Sequence, residues 1–142
     1  MNRIIISFII ISSVIYGQSS IDTLHCNHEI LMEFHNNVDS LDIQIAEKFL
    51  LTFDEKCFNN VEYSEWSNAL LYKFLDVNPQ MLIELLSAEG SYNIGYICKN
   101  LEEPIHDGFD LKSIFEKVEK VNIESVIKEK VLKSIRIAIN NY

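Results

Sequence analysis

The sequence has only four glycines and two prolines in 142 residues. A sandwich or barrel needs many tight turns, so this scarcity excludes both and leaves helices joined by brief links. No Asn-x-Ser/Thr acceptor occurs, which gives no support to passage through a glycosylating pathway. Zinc-spaced cysteines, a glycine-rich phosphate loop and a serine elbow are also missing. Positive charge is scarce: 12 Lys and Arg face 21 Asp and Glu, a formal −9. Nucleic-acid affinity rests on Lys and Arg neutralising phosphates, so the chain is not built for it.

What is present begins with a leader. Met1-Asn2-Arg3 is short and positive, Ile4 to Val14 is apolar apart from Ser7, Ser12 and Ser13, and Gly17-Gln18 follows. These are the parts of a secretory signal. The polar run Gln18-Ser19-Ser20 comes too early for a spanning helix of about 20 apolar residues. The reading is a signal peptide over 1–17, cleaved after Gly17, and a single α-helical domain over 18–142. The ending Tyr16-Gly17-Gln18 resembles signal peptides of exported Bacteroidota proteins. That resemblance implies a periplasmic or secreted destination.

Charge is uneven along the expected mature chain. Residues 18–111 hold four Lys against seventeen Asp and Glu, a formal −13. Residues 112–142 hold seven Lys and Arg against four Glu, a formal +3.

Apolar residues recur with helical period nearly throughout. A first helix is expected from about Ile21 to Asn36, and a second after Ser40 with Leu41, Ile45, Phe49 and Phe53 on one face. The run Asn59-Asn60-Val61-Glu62, a cap with an acid three residues on, is expected to start a third, Asn78-Pro79 a fourth, and Asp110 a sixth after the loop at Pro104 and Gly108. The fifth carries Ile94, Ile97 and Leu101, and Asn122 is expected to cap the seventh. The expected fold is all-α: about seven short helices after a signal peptide, as an irregular bundle or as HEAT-like stacked antiparallel hairpins. The segment from Phe49-Leu50-Leu51-Thr52-Phe53 to Asn78-Pro79 resembles helical hairpins of exported proteins, and that likeness implies no activity.

Three cysteines leave one thiol over if two pair. Folding the first two helices back near Asp39 brings Cys26 level with Thr52, about five residues from Cys57, or roughly 7–8 Å along a helix. Cys26–Cys57 is therefore the favoured disulfide; the alternative is three reduced, buried thiols.

His25, His28 and Met32 share one side of the expected first helix, with His35 further along. Imidazole and thioether are ligands for copper and similar ions, so this stripe is a candidate metal site. Tyr92 and Tyr96, near the break at Gly90, are the candidate binding surface, because tyrosine is enriched at interface hot spots. No catalytic set emerges, and no cofactor is implied. The expected function is an exported, acidic, non-enzymatic module whose partner is another protein, with metal binding through the first helix as the alternative.

Overall fold

A computed structural model describes residues 24–88, 90 and 92–142. The apolar leader, the cleavage after Gly17 and residues 18–23 lie outside that set. Among the described residues there are seven α-helices and no strand. They are α1 (His28–Asn37), α2 (Ile43–Leu51), α3 (Val61–Val77), α4 (Pro79–Ser87), α5 (Ile94–Glu102), α6 (Leu111–Glu119) and α7 (Val126–Asn141). Short 3₁₀ turns, Val38–Ser40 and Glu55–Asn59, follow α1 and precede α3.

Each helix starts on a side-chain cap. The first turn of a helix has amide groups with no partner inside it, and a short polar side chain can accept from one of them. Asn27, Asp42, Asn60, Asn78, Asn93, Asp110 and Ser125 all do so. Pro79 sits at the first position of α4, where its missing N–H costs nothing.

Three of these starts differ from the sequence expectation. Helix α1 begins at His28 rather than near Ile21, because Cys26 takes a left-handed backbone (φ 53°) that a right-handed helix cannot contain. Helix α2 is capped by Asp42, since Ser40 is used to close the 3₁₀ turn after α1. Helix α7 is capped by Ser125, not Asn122. Val121 is buried and Ile123 packs on the core, and extended chain turns such alternate residues to one side. The Lys128 ammonium holds that extended piece by donating to the Val121 carbonyl at 2.8 Å.

Helix α3 is the axis of the molecule. Its buried residues include Tyr63, Asn68, Leu71, Tyr72, Phe74 and Leu75, so it is covered on most sides. It touches α1, α4, α5 and α6, while α7 packs on α4, α5 and α6. A solenoid joins only neighbouring repeats, so these long-range contacts make the fold an irregular bundle. An aromatic nucleus sits where α1, α2 and α3 meet. Phe34 stacks on Phe49 at 4.0 Å between centroids, with Phe74 tilted against Phe34 and Phe53 edge-on to Phe49.

Buried polar groups of α3 serve the end of α5, whose last carbonyls have no helical partner. Asn68 Nδ2 donates to Asn100 O at 2.7 Å and to Glu103 O at 3.3 Å, and its Oδ1 accepts from Ile105 N at 3.1 Å. The Tyr72 hydroxyl donates to Leu101 O at 2.6 Å, and that of Tyr142 to Pro104 O at 2.7 Å.

Two outcomes follow from this packing. Asn68→Ala strands one amide and two carbonyls, and lowers stability by about 2–3 kcal/mol in urea denaturation; a loss under about 0.5 kcal/mol contradicts the account. Burial pushes the Tyr63 hydroxyl up to about 12, and burial also pushes Tyr72 up. The folded chain therefore holds phenolic protons that the unfolded chain releases near pH 10. That stabilisation is whole below about pH 10 and is lost as pH rises toward Tyr63's folded value of about 12. Denaturation midpoints that hold constant from pH 9 to pH 12, or tyrosinate absorbance appearing at the ordinary pH, would contradict it.

Candidate functional site

The Cys26–Cys57 disulfide joins the chain before α1 to the 3₁₀ turn before α3. The two Cα atoms lie 5.4 Å apart, as the antiparallel fold-back of α1 and α2 requires. The Thr52 carbonyl lies beside the bond, accepting from the Tyr63 hydroxyl at 3.0 Å and from Cys26 N at 3.5 Å. Cys57 itself is buried, and its carbonyl accepts from Ser64 Oγ at 3.1 Å and Asn60 N at 2.9 Å. The residue that follows, Phe58, is thereby held outward with 68% of its surface exposed.

A second apolar side chain faces the same space. Ile105 follows Pro104 in the loop after α5, is fixed through its own N–H to Asn68, and is 46% exposed. Phe58 and Ile105 flank a cleft of about 70 Å³, lined also by Ser64, Tyr96, Lys99, Asn100 and Glu103. The Ser64 hydroxyl is engaged with the Cys57 carbonyl, and the Asn100 amide donates to Tyr96 O at 2.9 Å. The cleft thus offers shape and apolar contact, with Ser64 and Asn100 already bonded and the exposed Lys99 and Glu103 at its edge.

Of the expected binding pair, Tyr96 belongs to this site and Tyr92 does not line it. The expectation that both stand on the surface one helical turn apart is corrected. Tyr96 is only 8% exposed, packs toward Phe53 and forms the cleft's inner wall. Tyr92 precedes α5 and is half-buried. Burial, with Glu47 nearby, raises its hydroxyl, and it lies so close to Gly90 that a Cβ there would come within 2.8 Å of its ring. Phe58 and Ile105 were not singled out from sequence. Their one signal is an isolated large apolar residue inside a polar loop, which has no period to expose it.

The histidine stripe is not one helical face in the structure. His25 lies ahead of α1 with Nδ1 3.3 Å from the Asp54 carboxylate. His28 sets its ring edge-on to Tyr63 at 5.6 Å, and Met32 is exposed. Among the described residues, no three His, Cys, Asp or Glu are placed to hold a metal ion.

On the opposite side of α5, an open groove of about 270 Å³ runs against α7, lined by Ile94, Gly95, Cys98, Glu102, Lys130, Lys133 and Ser134. Burial pushes the unpaired Cys98 thiol up, offset in part by a hydrogen bond with Ser134 and by Lys130. A raised thiol is a poor nucleophile at neutral pH. No described helix is long and apolar enough to cross a membrane. Comparison with family models, curated proteins and solved structures finds no match.

The disulfide closes 31 residues, and the Cys26→Ser/Cys57→Ser chain should lose roughly 3–4 kcal/mol in urea denaturation. Wild type measured with and without reductant checks the same bond. An unchanged midpoint in both comparisons contradicts the role given to it here.

Proposed function

We propose that this chain is an exported, non-enzymatic module that binds another protein through the Phe58–Ile105 cleft. The observation that carries the reading is the pairing of two exposed apolar side chains on rigid supports around a cleft of about 70 Å³. Small-molecule sites usually span about 300–1,000 Å³, so this cleft is too small for a metabolite. It suits one aliphatic side chain presented by a partner, with Phe58 and Ile105 closing over it. Rigid support matters because ordering loose side chains on binding costs affinity. Here the disulfide, Ser64 and Asn68 order both walls in advance.

Export is supported by the leader read in the sequence and by the disulfide, since such bonds persist in oxidising compartments. The acidic body, −13 over residues 18–111, argues for a protein partner over nucleic acid. The alternative of a metal held by His25, His28 and Met32 has less support, because His25 stands ahead of α1 against Asp54 and leaves only His28 and Met32 on a common helical face.

Affinity capture from the medium or periplasm of the exporting cell tests the reading. Wild-type bait is expected to retain a discrete partner that Phe58→Asp and Ile105→Asp baits lose while keeping the wild-type circular dichroism spectrum. With that partner in hand, Phe58→Ala should weaken Kd by about 30-fold, as for a hot-spot truncation of about 2 kcal/mol. Equal recovery on wild-type and variant baits refutes the site.

A further inference from the structure

The charge around the cleft restricts what can fill it. Glu55 and Glu62 flank Phe58 in sequence, Glu103 lines the cleft, and Asp107 follows Ile105 by two residues. All four are exposed, and none has an ion pair among the described residues. Only Lys56 and Lys99 oppose them nearby, within a body that is −13 overall. The cleft lining itself holds Lys99 beside Glu103, and the excess of carboxylates on the neighbouring chain favours an occupant with positive charge beside its aliphatic side chain.

The surface of this chain carries such a segment. Val126, Lys130 and Lys133 stand at i, i+4 and i+7 on α7 and so form one stripe. Val126 is 73% exposed at the start of the helix, and the three residues line a single open groove together with Glu129, Leu132 and Arg136. Lys130 and Lys133 are exposed and, among the described residues, have no carboxylate within ion-pair distance. The stripe cannot enter its own cleft. Helix α5 stands between them, with Tyr96, Lys99 and Asn100 toward the cleft and Ile94, Cys98 and Glu102 toward α7. Buried Val131, Leu132 and Ile135 fix α7 in place.

We propose that the cleft takes the Val126–Lys130–Lys133 stripe of a second copy of this chain, in a head-to-tail contact. The proposal rests on reading the Phe58–Ile105 cleft as a protein-docking site. Val126 enters between Phe58 and Ile105, and the two lysines face Glu62 and Glu103. The contact is heterologous, so each added copy leaves one cleft and one stripe open, and growth ends only by ring closure.

Sedimentation velocity on the oxidised mature chain tests this. In low salt, wild type should sediment faster as concentration rises and revert toward monomer as ionic strength climbs to about 0.5 M. Phe58→Asp and Val126→Asp should each abolish growth. An equimolar mixture of these two variants keeps one intact cleft and one intact stripe, so it should form a dimer and stop there. The Lys130→Glu/Lys133→Glu chain should associate at least about tenfold more weakly. Wild type that stays monomeric at about 0.5 mM in low salt, single variants that still assemble, or a mixture that stays monomeric each overturns the proposal. If another protein is still captured in a Phe58-dependent way, only self-docking has failed; if Phe58→Asp changes neither result, the cleft reading has failed too.

Discussion

One buried amide, that of Asn68, does for this fold what no apolar contact could. The end of α5 and the loop behind it set three part-buried backbone groups against α3, two carbonyls and an N–H. Each would carry a desolvation cost if left alone. A carboxamide supplies donor and acceptor together, and Asn68 meets all three groups at once from the middle of α3. Tyr72 and Tyr142 hold the neighbouring carbonyls in the same manner. Helix α5 and its loop are thereby indexed to α3 by direction as well as by packing, and Ile105 inherits its position from that index.

The other wall of the cleft depends on a similar convergence. The Thr52 carbonyl gathers Tyr63 and Cys26 at the end of α2, and the disulfide lies beside it. Phe58 is one residue beyond this knot. Cys57 is buried and Phe58 is exposed beside it. The two exposed apolar side chains thus sit at the ends of two separate hydrogen-bonded networks.

Much of this was legible in the sequence because it is local. Asn78-Pro79 and Asp110 are caps in both the reading and the structure, the Asn59-Asn60 pair marks the start of α3 with Asn60 as the residue that caps it, and the short link after α1 was enough to set Cys26 against Cys57. What failed was choice among equivalent local signals. Ser40 and Asp42 are both good caps, as are Asn122 and Ser125, and only tertiary burial of residues such as Val121 decides between them. Tyr96 was found as a residue but misplaced as a surface, because helical period does not say which side of α5 meets α3. Phe58 and Ile105 stayed hidden because one apolar residue in a polar loop has no pattern around it.

The position of the third cysteine bears on how the chain acquires its covalent form. Three thiols permit three different single bridges, and only one is native. Cys26 and Cys57 meet within the first hairpin, a contact that needs none of the chain beyond α3. Cys98 is shelved between α5 and α7, a place that exists only once the last helix has arrived. A chain oxidised as it emerges from its N-terminus joins the correct pair while Cys98 is still to come. A chain released whole and then oxidised offers all three thiols to one another at once. The order in which residues meet oxidant therefore selects the bridge, and refolding from a fully reduced state is the route on which mispaired chains accumulate.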